Sequence, residues 1–118
     1  MTRSTNVHEE VIARNVAEMA AQLLSDARDT RTAARAARTI ISRRGLRATL
    51  IALREGHELA QHDSPGVATL LVIEGSLILR ARDREWFLSS HDVIAIPPQR
   101  HSLLAQTDAV VLLTVRLD

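Results

Sequence analysis

The chain contains no cysteine, no lysine and no tyrosine, and it has only two aromatic residues, Trp86 and Phe87. Without cysteine there can be no disulfide, thiolate zinc site, iron–sulfur cluster or cysteine nucleophile. With so few aromatic rings, the core has to be built from Val, Ile, Leu and Ala. At 118 residues, 46% of them hydrophobic, the chain is long enough to bury one such core as a single domain.

Long hydrophobic runs are also missing. No segment approaches 18 apolar residues, and the first 30 residues hold no uninterrupted apolar run typical of a signal peptide. We therefore expect a soluble, cytoplasmic protein with no membrane partner. The formal net charge of +1 at pH 7 argues against a chain devoted to nucleic acid.

Residues 1–36 have the pattern of an N-terminal α-helical extension. Between residues 6 and 28, apolar side chains recur at steps of three and four and form one stripe: Ile12, Val16, Met19, Ala20, Leu23, Leu24 and Ala27. Asn6 and Glu9 have the spacing of a capping box at the start of this helix. Since alanine and arginine both favour helix, residues 31–38 are predicted to add a turn or two.

Seven arginines and a single acid, Asp29, lie between Arg28 and Arg47. On a helix, four of these arginines would form one stripe at steps of three, four and three: Arg28, Arg31, Arg35 and Arg38. The stretch could be an anion-binding or nucleic-acid-binding surface, a solvated helix face, or a set of partners for the acids of a second subunit. No aromatic residues interleave and no binding motif frames it, so we favour the last two.

Residues 37–118 have the pattern of an all-β domain. Short runs rich in Val, Ile and Leu alternate with turn signals: 37–42, 46–53, 57–62, 67–73, 76–81, 85–88, 92–96, 101–105 and 109–117. Pro65 and Gly66 suit the two central positions of a type II turn, where glycine supplies the positive φ. No helix-length periodic run interrupts these strands, so we predict a barrel or sandwich rather than a parallel α/β sheet.

Two glycine and histidine patterns stand within these runs. Gly56 is followed after five residues by His62, and Gly75 ends the pattern. Further on, Pro97 and His101 stand in DVIAIPPQRHSLLA. In this order, the strands and patterns of residues 46–117 resemble the cupin superfamily, whose members are small antiparallel jelly-roll barrels.

The resemblance implies a cupin double-stranded β-helix (jelly-roll) barrel over 37–118, preceded by the helical extension over 1–36. Metal-binding cupins typically use three histidines and one glutamate that face into the barrel. The chain departs from the cupin motifs at four positions: Ser64 for the second histidine, Ala68 for the glutamate, Ala105 for an asparagine and His91 for the glycine that opens the second motif. The resemblance therefore implies that His62 and His101 remain from the ligand set.

Strand parity predicts which side chains line the interior. If His62 points inward, Ala68, Leu70 and Val72 share that face, while His101, Leu103 and Ala105 lie on one face of their own strand. The predicted pocket holds two imidazoles among mostly small or branched apolar side chains: His62, Ser64, Ala68, Leu70, His101, Leu103 and Ala105.

Two neutral imidazoles alone chelate a divalent ion weakly. Catalytic zinc sites usually have three protein ligands, and non-haem iron sites have two histidines and a carboxylate. Three residues could complete such a site: Glu58 shares the parity of His62, Asp63 adjoins the turn, and His57 has the opposite parity and is expected to face outward. Whether Fe, Mn, Ni or Zn binds at His62 and His101 stays open, and we favour a metal-free pocket.

By resemblance, the expected function is small-molecule binding or sensing through a reduced two-histidine pocket. Such a pair of imidazoles could recognise a small acid or act as acid and base near neutral pH. The alternative is a metal-dependent cupin enzyme of the dioxygenase or isomerase type with His62 and His101 as ligands; a third is a structural or regulatory subunit without a ligand. No catalytic residue is identified, so the question of an enzyme stays open. The resemblance also implies a homodimer, and the apolar stripe of the helix needs either the barrel wall or a second subunit to cover it.

Overall fold

The computed structural model describes residues 11–29, 34–62 and 66–117, with residues 61 and 62 described by their backbone alone. This part of the chain forms one helix, α1 (Val16–Ala27), followed by strands β1 (Arg35–Arg43), β2 (Leu46–Leu53), β3 (Glu58–His62), β4 (Ala68–Glu74), β5 (Ser76–Ala81), β6 (Arg84–Ser89), β7 (Val93–Ala95), β8 (His101–Ala105) and β9 (Ala109–Arg116). Within the described ranges, no helix is long and apolar enough to cross a membrane.

Every apolar run predicted from the sequence forms a strand, and β2, β5 and β8 have the predicted bounds. The predicted breaks fall between strands, where Gly45, Gly56 and Gly75 adopt positive φ values. Gly66 also has a positive φ of 99°. The type II turn predicted at Pro65 and Gly66 lies partly outside the described residues.

Helix α1 begins at Val16, so the prediction of a helix from about residue 6 is wrong for residues 11–15. Asn15 is the N-cap, with extended backbone at φ −92° and ψ 107°, and its side-chain oxygen accepts from the backbone N–H of Glu18 at 2.9 Å. Asn15 and Glu18 have the same capping spacing that Asn6 and Glu9 offer, and Asn6 lies outside the described residues. A second start signal nine residues on was therefore overlooked.

Residues 35–38 form the start of β1, so the predicted extension of the helix through 31–38 is wrong there. Strand β1 pairs with β2 in antiparallel register, from Arg35 opposite Leu53 to Arg43 opposite Leu46. Ladder hydrogen bonds and side-chain packing outweigh the helix propensity of alanine and arginine. Arg35 and Arg38 therefore do not continue a helical stripe of arginines from Arg28.

The strands form two antiparallel sheets that face each other in a jelly roll. The large sheet has the order β1-β2-β9-β4-β7, and the small sheet has the order β3-β8-β5-β6. Apolar side chains from both sheets fill the space between them, and we call this cluster the inter-sheet core: Leu53, Ala68, Leu70, Val72, Leu77, Leu79, Leu88, Ile96, Leu103, Ala105, Ala109 and Val111. The predicted all-β jelly-roll fold with an N-terminal helix is confirmed.

Helix α1 packs on the other face of the large sheet. Its buried residues Ala20, Leu23, Leu24 and Ala27 form a second core with side chains of β1, β2 and β9: Ile40, Ala48, Leu50, Ala52 and Val110. Ile12, which the sequence assigns to the stripe, precedes the helix and is 56% exposed. The sheet wall covers the buried part of the stripe, so this stripe does not itself call for a second subunit, and the homodimer stays a prediction.

The end of the helix is tied to the turn before β9 through Asp108. Arg28 donates from Nε and Nη2 to Oδ2 of Asp108 at 3.2 and 3.0 Å, and the backbone N–H of Glu55 donates to Oδ1 at 2.8 Å. The hydrogen bond from Glu55, followed by those from Arg28, holds the pKa of Asp108 below its ordinary value, against the opposing effect of burial. The first arginine of the basic stretch thus pairs with an acid of its own chain.

Candidate functional site

The register of the small sheet brings the two motif histidines together along the backbone. Strands β3 and β8 are antiparallel neighbours, and their Cα pairing sets His62 opposite His101 and Leu59 opposite Leu103. The two residues come from motifs far apart in the sequence, so only the pairing of these strands makes them neighbours. Ser64 lies outside the described residues.

His101 is a buried, oriented imidazole. It is 4% exposed, and its Nδ1 lies 3.0 Å from the backbone carbonyl oxygen of Gln99. Because a carbonyl can only accept, Nδ1 carries the proton of this hydrogen bond, and in the neutral ring the lone pair lies on Nε2. A histidine whose second nitrogen binds a metal or ligand is commonly oriented in this way.

The other predicted pocket residues with described side chains are buried between the sheets. Ala68 and Leu70 on β4, and Leu103 and Ala105 on β8, are each at most 5% exposed and belong to the inter-sheet core. These four residues are part of the core. Their burial agrees with the prediction that their side chains point inward.

A cavity of about 260 Å³ opens beside this end of the small sheet. It is lined by residues from the β5–β6 hairpin and from the segment before β8: Ala81, Arg82, Asp83, Arg84, Trp86, Pro97 and Gln99. Ala81 is the register partner of His101 across β5 and β8, and Gln99 supplies the carbonyl that orients the imidazole. The cavity therefore adjoins the backbone on two sides of His101.

An aromatic ring and a cation meet in this cavity. The guanidinium carbon of Arg84 lies 4.6 Å from the centroid of the Trp86 ring, a cation–π contact, and Trp86 also packs against the inter-sheet core. The sequence pattern did not single out Trp86 or Arg84 as site residues. The available signal was that Trp86 is one of two aromatic residues in the chain. Its neighbour Phe87 points the other way and is 66% exposed.

Glu58 lies on the outer face of β3, and a β-bulge between Leu59 and His62 breaks the parity that the sequence assigned to Glu58 and His62. Glu58 pairs with Leu104, Leu59 with Leu103 and His62 with His101, so two residues of β3 stand opposite one residue of β8. Glu58 is exposed, as is His57, for which exposure was expected. Asp63 lies outside the described residues. Glu58 is therefore not placed to complete a metal site with His101.

The described side chains do not by themselves make a metal centre. Within the described ranges, no three His, Cys, Asp or Glu side chains are grouped closely enough to hold an ion. Ala68 and Ala105 bring methyl groups to the positions where a cupin motif has a glutamate and an asparagine, and both are buried in the inter-sheet core. One oriented imidazole is fewer than the three protein ligands that catalytic zinc sites typically have.

Comparison with known proteins identifies the fold. No family model matches the chain, and no curated protein matches it. A conserved protein of unknown function from Streptococcus pyogenes is 26% identical, with a TM-score of 0.65 over 71% of this chain and 75% of that chain. A cupin superfamily protein from Desulfitobacterium hafniense DCB-2 is 15% identical, with a TM-score of 0.66 over 71% of this chain and 78% of that chain.

An enzyme is among the structural neighbours. The salicylate 1,2-dioxygenase from Pseudoaminobacter salicylatoxidans, solved as adducts with gentisate, is 19% identical, with a TM-score of 0.70 over 82% of this chain and 31% of that chain. The match spans less than a third of that enzyme, so it carries the fold and not the activity. The protein has the fold of the cupin superfamily, as the order of its strands and motifs implied.

Proposed function

We propose that this cupin-fold chain is a small-molecule binding or sensing module, with its binding site at the end of the jelly roll where β3 and β8 pair His62 with His101. The observation that carries the proposal is the buried imidazole of His101, oriented by the Gln99 carbonyl beside a cavity of about 260 Å³. A concave site in which a few oriented polar groups stand beside apolar and aromatic side chains is the usual make-up of a ligand site.

The residues of the cavity favour a small planar acid as the ligand. The guanidinium of Arg84 can donate two parallel hydrogen bonds to a carboxylate, and the part of the Trp86 ring that lines the cavity can contact a planar group. A volume of about 260 Å³ lies just below the range of roughly 300–1,000 Å³ that is usual for drug-sized ligands. The ligand should therefore be small, with one ring or none.

Thermal shift with small acids tests this proposal. We expect a panel that includes benzoate, salicylate and gentisate to contain compounds that raise the melting temperature, because a ligand that binds only the folded state stabilises it. A compound at about 100 times its Kd should add roughly 2.7 kcal/mol to the free energy of unfolding. Arg84→Ala should remove the increase in melting temperature, because it deletes the guanidinium that would bind the carboxylate. Arg84 is exposed, so the substitution should leave the fold intact.

The matched control is Arg47→Ala, which removes an exposed arginine from β2 in the large sheet and should keep the full shift. Silence of the whole panel with the native protein would sink the proposal. An equal loss of shift in both arginine variants would show that the effect is general electrostatics, and it would count against the site.

The orientation of His101 favours one second candidate, a metal-dependent cupin enzyme with His62 and His101 as ligands. The imidazole of His101 donates from Nδ1 to a backbone carbonyl. Metal-binding histidines are commonly oriented by the same kind of hydrogen bond. The primary proposal expects protein purified without added metal to contain no stoichiometric ion by elemental analysis. Iron, manganese, nickel or zinc at one equivalent, absent from the His62→Ala/His101→Ala double variant, would instead favour the enzyme.

A further inference from the structure

A second cavity lies on the outer face of the small sheet. It has a volume of about 330 Å³ and is lined by Glu58, Ala60, Arg80, Arg82 and Ser102. The residues that alternate with them along the strands, Leu59, Leu79 and Leu103, pack in or against the inter-sheet core. Because successive side chains of a strand point to opposite faces, Glu58, Arg80 and Ser102 lie on the face of the sheet opposite to the inter-sheet core. Arg82, in the turn between β5 and β6, lines both this outer cavity and the cavity beside His101.

Small side chains make the floor of the outer cavity. Ser102 is 7% exposed and is the register partner of Arg80 across β8 and β5. Ala60 stands at the bulge where two residues of β3 lie opposite Ser102. Because Ser102 lines the cavity, this largely buried residue brings a hydroxyl to the floor, where it can hydrogen-bond to a ligand.

The charges around the cavity are balanced but separated. Arg80 donates from Nε to Oε2 of Glu85 at 2.7 Å, which neutralises and orients its guanidinium. Among the described residues, Arg82 and Glu58 have no ion-pair partner. The cavity therefore presents one unpaired cation and one unpaired carboxylate on either side of a floor that carries a hydroxyl.

Arg82 has a backbone conformation that is unfavourable for an arginine. Arg82 is the first residue of the two-residue turn between β5 and β6, and its φ is +55°. This left-handed conformation costs a residue with a Cβ roughly 1–2 kcal/mol, and glycine adopts it freely. An arginine held there at the rim of a cavity points to a use for its guanidinium.

We propose that the outer cavity binds a small zwitterion of the α-amino-acid type. The carboxylate of the ligand lies at Arg82 and the outer nitrogens of Arg80, its ammonium lies at Glu58, and the hydroxyl of Ser102 hydrogen-bonds to it from the floor. A simple anion would be attracted by Arg82 but repelled by Glu58. A simple cation would be attracted by Glu58 but repelled by Arg82. Only a ligand with both charges satisfies both groups.

NMR titration of the uniformly ¹⁵N-labelled protein tests this with the set of L-α-amino acids. The tightest binder is then compared with its deamino analogue, which keeps only the carboxylate, and its decarboxy analogue, which keeps only the ammonium. We expect amide shifts on β3, β5 and β8, and a Kd at least about tenfold weaker for either analogue, since each loses a charge-assisted contact.

Two variants test the site, and Glu58→Gln is the one specific to the outer cavity, because Arg82 also lines the cavity beside His101. Arg82→Gly deletes the guanidinium while relieving the strained φ, and Glu58→Gln removes the carboxylate charge at an exposed position. Each should weaken binding about tenfold or more, and Arg82→Gly should keep or raise the melting temperature. The matched controls are His91→Gly, which relieves a φ of +77° in the turn before β7, and Glu74→Gln on β4; both should bind as the native protein does.

Three results would overturn the proposal. The first is the absence of amide shifts with every amino acid at millimolar concentration. The second is a deamino analogue that binds as tightly as its parent, which would make the site a plain anion site. The third is a set of shifts around His101 that Arg84→Ala abolishes and Glu58→Gln does not, which would assign the ligand to the interior site and leave the proposed function standing.

Discussion

Gly75→Ala should lower the free energy of unfolding by about 3 kcal/mol or more, from two separate causes. Gly75 has a φ of +88°, in the left-handed region that a residue with a Cβ rarely adopts. A Cβ there would collide with the carbonyl oxygen of Asp108 and lie 2.8 Å from the Cα of Ala109. These are backbone atoms at the start of β9, a strand in the middle of the large sheet, so they cannot move aside cheaply. Urea unfolding followed by circular dichroism measures the loss.

Gly56→Ala is the matched control, because Gly56 has nearly the same φ, +84°, and has nothing within 4 Å of the added Cβ. It should cost only about 1 kcal/mol, the conformational part alone. The difference between the two variants measures the steric part at Gly75. Equal losses would contradict the close approach of the β4–β5 turn to Asp108.

Leu50→Ala should cost about 2–5 kcal/mol, because it opens a cavity that the surrounding layers cannot close. Leu50 is fully buried in the middle of β2, opposite Leu112 of β9, and it belongs to the core between α1 and the large sheet. The loss should appear as a lower urea midpoint with an unchanged slope, because the extent of folded structure is the same.

Leu46→Ala provides the comparison on the same strand with the same substitution. Leu46 is 41% exposed, so its truncation should cost less than about 1 kcal/mol. A cost at Leu50 no larger than that at Leu46 would mean that α1 does not pack on the sheet in solution as it does in the structure.

The β-strands could be predicted from the sequence because each apolar run is short and bounded by a residue with a special backbone requirement. Gly45, Gly56 and Gly75 end three runs, and all adopt positive φ. His91 has a φ of +77° at the position where a cupin motif has its opening glycine. The motif thus marks a backbone conformation that this chain keeps even though its glycine has been replaced.

The errors at the N-terminal end have a common physical cause. Residues 35–38 have strong intrinsic helix propensity, but β1 gains a full ladder of pairing with β2 and buries Ile40 against α1. Propensity differences of a few tenths of a kcal/mol per residue do not compete with such long-range contacts. The start of α1 was missed for a local reason, since the chain offers two capping signals and the sequence does not rank them.

The candidate site could be predicted only in part. Strand parity assigned Ala68, Leu70, Leu103 and Ala105 to the inward faces, because each lies within one regular strand. It failed for Glu58, because the bulge in β3 inserts one residue and turns every earlier side chain to the other face. The amino-acid pattern of β3 does not predict that bulge.

The sequence by itself determined the strands, the turns that need glycine and the identity of the two motif histidines, because these depend on side-chain period and local backbone preference. The tertiary structure decided which strands are neighbours, and therefore that His101 stands opposite His62, that Trp86 and Arg84 share a cavity with Gln99, and that two unpaired charges meet on the outer face. These are contacts between segments distant in the chain. They depend on strand register and on the bulge in β3, which only the packing of the two sheets fixes.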